Sequence, residues 1–192
     1  MCGIVGVLSH HEVAPTLVDA LKRLEYRGYD SAGIATVNAG KLDRRRAVGK
    51  LVNLSDLLVH DPLPGKSGIG HTRWATHGEP NTKNAHPHQS GPVAVVHNGI
   101  IENYKELRAE LARHQITPET DTDTETVAHR IHLNLQKADD FVGAVRMTVA
   151  ELEGAYAIAV INADQPEQVV IARQGAPAVV GLGIDENFVA SD

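Results

Sequence analysis

The sequence holds one cysteine, one tryptophan, two methionines and two phenylalanines, and aromatic residues make up only 4% of it. A lone cysteine, Cys2, excludes an internal disulfide and suits a reducing compartment. No apolar run approaches the roughly 20 residues of a membrane-spanning helix. The opening Met1-Cys2-Gly3-Ile4-Val5-Gly6 carries no basic region, so it does not read as a secretion signal. Positive charge is in deficit: the formal net charge is −6, which argues against a general nucleic-acid surface. Arg44-Arg45-Arg46 is the one dense basic run, and it reads as a solvated strand or loop face rather than an anion site. What remains is a soluble, cytoplasmic protein. With 192 residues, 42% of them hydrophobic, it has enough chain for one domain and a sizeable core.

Periodicity gives a mixture of helices and short strands. Ile4–Leu8 is a short apolar run, expected to be a buried strand. Val13, Leu17, Leu21 and Leu24 recur at helical spacing. Ala32–Val37 and Lys41–Val48 read as strands around an Asn38-Ala39-Gly40 turn, followed by a helix over Leu51–Val59. Ser67–His71 and Pro92–His97 are further strands. The stretch between them, Thr72–Gly91, is polar and rich in His, Gly and Pro, and reads as a long functional loop. Helices are expected over Ile100–His114, from a capping box at Thr122–Glu125, and over Asp139–Leu152. Strands follow at Gly154–Ile161, Gln168–Ala172, Ala178–Gly183 and Phe188–Ala190; their close spacing favours antiparallel pairing.

Four segments carry chemistry. If Met1 is removed, Cys2 presents a thiol and a free α-amine on one residue, a nucleophile with its own base. Type alone would also allow Cys2 to be a small buried apolar residue, although Gly3 beside it permits close approach of a ligand or backbone. Tyr26-Arg27-Gly28-Tyr29-Asp30-Ser31-Ala32-Gly33 suggests a tight turn that Arg27 and Asp30 are expected to brace by pairing with each other. His71-Thr72-Arg73-Trp74-Ala75-Thr76-His77-Gly78 offers a guanidinium fork suited to a carboxylate, with further donors. In His97-Asn98-Gly99, a strand runs into Asn-Gly. That is a hairpin signal or, where a helix follows, two donors aimed at one developing oxyanion.

In this order, the four segments closely resemble the glutaminase domain of the glutamine–fructose-6-phosphate aminotransferases, across essentially the whole chain. The resemblance implies an α+β fold of the N-terminal-nucleophile type, a four-layer αββα sandwich with two antiparallel sheets. It implies that Cys2 attacks the glutamine amide through a thioester and that Asn98 and Gly99 form the oxyanion hole. Arg73 would hold the substrate carboxylate, with Trp74, Thr76 and His77 on a closing loop, and Asp123 would hold the ammonium. Arg27, Asp30 and His86 would be structural residues near the site.

The implied ligand is L-glutamine, with no cofactor and no metal. Several of the 11 histidines cluster in sequence, but none forms the i, i+4 pair of a zinc protease. The resemblance further implies one glutamine amidotransferase domain over 1–192, truncated near its C-terminus. The sugar-isomerase domains that use fructose-6-phosphate would be absent, and homodimerisation would belong to the full-length enzyme. Two other readings stay open: the glutaminase of another N-terminal-cysteine amidotransferase, and an inactive module that only binds glutamine. A retained Met1 would block the α-amine and leave a folded but inactive domain.

Overall fold

The computed structural model describes residues 2–75 and 78–192. In chain order the elements are β1 (Gly3–Ser9), α1 (Ala14–Leu24), a 3-10 turn (Glu25–Arg27), β2 (Ser31–Asn38), β3 (Lys41–Val48), α2 (Leu51–His60), β4 (Ser67–Arg73), β5 (His88–Ser90) and β6 (Val93–Gly99). They continue with α3 (Tyr104–Arg113), α4 (Asp123–Asn134), α5 (Phe141–Val149), β7 (Tyr156–Asn162), β8 (Val169–Gln174), β9 (Val179–Leu182) and β10 (Glu186–Ala190). Six strands form one sheet in the order β3-β2-β4-β1-β10-β9, and four form the other as β5-β6-β7-β8. Every pairing within the two sheets is antiparallel.

Strand alternation decides the layers. Successive side chains of a strand point to opposite faces. On β1, Val5 and Val7 join Leu17, Leu21 and Leu54 in a core under α1 and α2, while Ile4 turns to the other sheet. On β7, Tyr156, Ile158 and Val160 pack with Val127, Ile131 and Phe141 of α4 and α5. Its alternate residues Ala157, Ala159 and Ile161 meet Ile4, Val37 and Ile69 between the sheets. Three apolar layers therefore separate four structural layers, which is the αββα sandwich the resemblance implied. Small residues dominate the middle layer on the β6–β7 side, so the sheets pack closely there.

The predicted loop Thr72–Gly91 needs two corrections. β4 continues to Arg73, and His88–Ser90 is a short strand paired with Val93–Val95. Both stretches are polar, so apolar periodicity cannot reveal them; backbone pairing with a buried neighbour makes them strands. The helix expected from Ile100 starts at Tyr104. Before it, the backbone N–H groups of Ile100 and Glu102 donate to the carbonyls of Ala155 and Glu153, so these residues are committed to β7's approach and not to a helical turn.

Candidate active site

Sheet register brings the chemical segments together. β1 is central in its sheet, flanked by β4 and β10, and Gly3 lies opposite Thr72 of β4. Cys2 is thereby held beside Trp74, just past the end of β4. The Trp74 N–H donates to the Cys2 sulfur at 3.2 Å, and the thiol lies 3.5 Å from the Trp74 carbonyl. Burial pushes the Cys2 thiol above its ordinary range, and the Trp74 N–H and the Arg73 charge oppose that shift. Gly28 is required nearby: a Cβ there would lie 2.6 Å from the Arg73 carbonyl carbon. β6 of the other sheet ends at the same place, and Asn98 Nδ2 donates to the Cys2 carbonyl at 3.0 Å.

The first turn of α4 supplies the carboxylate. Thr122 is the N-cap, its hydroxyl accepting from the Glu125 N–H at 3.4 Å. Asp123 is 5% exposed; its Oδ2 accepts the Ile101 N–H at 2.9 Å, and its Oδ1 lies 3.7 Å from His97 Nδ1. Cys2, Arg73, Trp74, Asn98, Gly99 and Asp123 line one cavity of about 360 Å³, with Arg27 and His86 also on its wall. That volume suits a free amino acid with room for solvent. A larger hollow of about 630 Å³ lies between α1 and α2 and is lined largely by Val18, Leu58, Val59 and prolines, away from Cys2 and Asn98.

His71 was not singled out in the sequence, yet it determines how Asn98 is presented. Its Nε2 lies 3.0 Å from both the His97 carbonyl and Asn98 Oδ1. A carbonyl can only accept, so Nε2 carries the proton and the neutral tautomer is fixed. Burial, opposed by these two hydrogen bonds, pushes the His71 pKa down to about 3, so the ring stays neutral. The Nε2–H then holds the Asn98 oxygen away and leaves the amide NH2 facing Cys2. One NH2 proton serves the Cys2 carbonyl and one remains for a ligand. The signal was a histidine on a strand beside Arg73, but its partner lies in the other sheet.

His86 stacks on His71 with ring centroids 4.2 Å apart, and its Nε2 lies 2.8 Å from Thr124 Oγ1. It thus backs the ring that positions Asn98. Arg27 and Asp30 do not pair. Arg27 reaches the Ser191 carbonyl at 3.2 Å and Asp192 at 3.7 Å, while Asp30 accepts from the Ser31 hydroxyl and the Ala75 N–H. Each braces a different strand end, because the 3-10 turn and the residues after it carry the two side chains apart. Trp74 is half-exposed and packs edge-on against Tyr29 at 5.3 Å. Thr76 and His77 lie outside the described residues. The capping box is half formed: the Glu125 side chain takes the N–H groups of Glu119 and Thr120 instead of returning to Thr122. Among the described residues no group of three or more His, Cys, Asp or Glu is placed to hold a metal ion.

Two face-to-face antiparallel sheets between helical layers, with a cysteine leading into a central strand beside an Asn-Gly strand end, define an N-terminal-nucleophile amidotransferase fold. The chain belongs to the glutamine amidotransferase domain family, whose model matches residues 71–179. Over its whole length it is 55% identical to a glutamine–fructose-6-phosphate aminotransferase (isomerizing) of Shewanella oneidensis and 58% identical to one of Brucella suis. The chain spans 32% of the length of each of these relatives. Among solved structures, the glutamine phosphoribosylpyrophosphate amidotransferase of B. subtilis superposes with a TM-score of 0.82 at 28% identity, over 99% of this chain and 42% of that one. A glutamine aminotransferase class-II domain protein from Silicibacter pomeroyi shares the fold, with a TM-score of 0.67 at 15% identity over 98% of this chain and 88% of that one.

Proposed function

We propose that this chain is the glutamine-hydrolysing domain of a glutamine–fructose-6-phosphate aminotransferase. The observation that carries the reading is one cavity holding the Cys2 thiol, an Asn98 amide locked with its NH2 toward Cys2, the Arg73 guanidinium and the Asp123 carboxylate. Arg73 pairs with the substrate α-carboxylate and Asp123 with its α-ammonium, so both ends of a free amino acid are read. Trp74, at the cavity wall, and Thr76 and His77, outside the described residues, are the further glutamine-contacting residues that the family resemblance implies.

Removal of Met1 frees the α-amine of Cys2. The amine takes the thiol proton as sulfur attacks the side-chain amide carbon. The oxyanion that forms accepts hydrogen bonds from Asn98 Nδ2 and the Gly99 N–H. The carbon–nitrogen bond then breaks, the amine returns its proton, and ammonia leaves from a thioester. Water attacks the thioester through a second oxyanion, giving the amine one proton that passes to sulfur as the thiol leaves glutamate. In the longer protein the ammonia is used on fructose-6-phosphate by domains outside this chain, in a cytoplasmic setting that suits an unpaired cysteine. The identity of 55–58% to the fructose-6-phosphate enzymes, against 28% to the phosphoribosylpyrophosphate enzyme, favours the former as the parent.

Intact-protein mass and glutamate release from glutamine, measured on one sample, test this. A protein lacking Met1 is expected to turn over, with Cys2→Ala abolishing release. A protein lacking Met1 that binds glutamine without turnover would overturn the glutaminase reading in favour of a binding module.

A further inference from the structure

The basic run Arg44-Arg45-Arg46 is divided by strand alternation. Arg45 faces outward and pairs with Asp43 and Asp61 at 2.9 and 2.7 Å. Arg44 and Arg46 share the other face of β3 and turn inward, half-buried, toward β5 and the start of α4. Both donate to backbone carbonyls: Arg44 Nη1 to Pro87 at 3.0 Å, and Arg46 Nη1 to Lys83 and Ala85 at 3.1 and 2.9 Å. Neither is ion-paired among the described residues.

Arg44 and Arg46, with Lys83, line a separate polar cavity of about 210 Å³. Glu119 and Glu125 are on its wall too, so three cations face two carboxylates. Glu125 is already engaged: its oxygens accept the N–H groups of Glu119 and Thr120, and His129 Nε2 lies 3.3 Å away. Burial first, then the neighbouring Arg44 charge, lower Arg46 to about 10, and Glu125 opposes the shift. Three cations against two carboxylates, one of them already engaged, leave an excess of positive charge at a half-buried cavity, which an added anion would offset.

We propose that this cavity binds a small tetrahedral oxyanion of the phosphate class, gripped by the guanidinium forks of Arg44 and Arg46 and by Lys83. Planar forks match such oxyanions through paired hydrogen bonds. The cavity is distinct from the cysteine cavity but shares a segment with it. Residues 78–87 are held at one end by Arg73, which donates to the Gly78 and Glu79 carbonyls, and at the other by Arg44 and Arg46. Nothing in the glutaminase reading requires this site, so the two stand or fall separately.

Titration of the intact chain with inorganic phosphate, followed by calorimetry and by amide exchange over residues 83–89, tests the proposal. Saturable binding is expected, with slowed exchange in that segment, competition by sulfate and little effect of acetate at equal ionic strength. Arg44→Gln and Arg46→Gln should each weaken binding at least about tenfold. Lys83 is exposed, so Lys83→Gln leaves the fold intact and should weaken binding severalfold. Absence of saturable binding, or binding that acetate matches, would mean that the two arginines only brace the 83–87 carbonyls. Unchanged affinity in Lys83→Gln together with either arginine variant would also overturn the site. If the arginine variants do not fold, unchanged affinity in Lys83→Gln alone would do so.

Discussion

Asn98 and His71 act as one device. The amide has to present hydrogen rather than oxygen to Cys2, and nothing in the asparagine itself sets that choice. The protonated Nε2 of His71 sets it. Asn98→Ala is expected to lower kcat for glutamate release by about 10² to 10³, the usual cost of losing one oxyanion donor. His71→Leu removes the hydrogen bond that orients Asn98, along with the one to the His97 carbonyl, and should lower kcat by about tenfold with little change in KM for glutamine. In the Asn98→Ala background the same His71→Leu change should add almost nothing. An additive double variant would mean that His71 supports only the packing. The sequence displayed Asn98 through its Asn-Gly strand end, but His71 could not be read there, because its partner is 27 positions away in another sheet.

At the scale of elements, strand ends and helix starts place the chemistry. β6 could have turned into a hairpin at Asn98-Gly99. Instead Gly99 adopts φ of +107° and the chain leads toward α3. A Cβ at Gly99 would sit 2.1 Å from the Ala155 carbonyl oxygen, so Gly99→Ala meets both an unfavourable backbone conformation and a backbone clash. It is expected to cost about 1–3 kcal/mol or more of stability, measured by denaturant unfolding, and to abolish glutamate release. Unchanged stability would show that β7 can yield here. Strands with alternating or continuous apolar residues were legible, as were α1 and the start of α4. β5 and the last residues of β4 were not, since their side chains are polar and only the neighbouring strand reveals them.

For the whole molecule, the layered sandwich buries histidines at the base of the site, and this makes it sensitive to acid. Burial, assisted by the Arg46 charge for His88, holds His71 and His88 down to about 3. An unfolded histidine titrates near about 6.5, so below that pH the unfolded chain binds more protons than the folded one. Stability is therefore fully present above about pH 6.5 and is lost as pH falls toward 3, by roughly 1.4 kcal/mol per histidine at about pH 5.5. Glu125 acts in the same direction at lower pH. Burial alone would raise its carboxyl, but His129 and the Glu119 and Thr120 N–H groups hold it well below the usual range. A melting temperature that falls from pH 7 to pH 5, and falls less in His88→Gln, is the expected outcome; a flat profile would contradict it.

The sequence by itself determined most of the elements, their antiparallel bias and most of the candidate residues. Alternation and helical spacing are local, so they assign each apolar residue to a face before any tertiary contact exists, and Cys2, Arg73, Asn98 and Gly99 stood in segments that carry chemistry, whereas Asp123 entered only through the family resemblance. Tertiary structure decided which parts meet and in what state. Antiparallel register set Cys2 against Trp74, and sheet stacking set Asn98 against Cys2 and His71. The separation of Arg27 from Asp30, and the inward turn of Arg44 and Arg46, also followed from where their strands were packed. Hydrogen bonds and burial between residues distant in sequence fix tautomers, amide orientation and charge, and no local pattern encodes them.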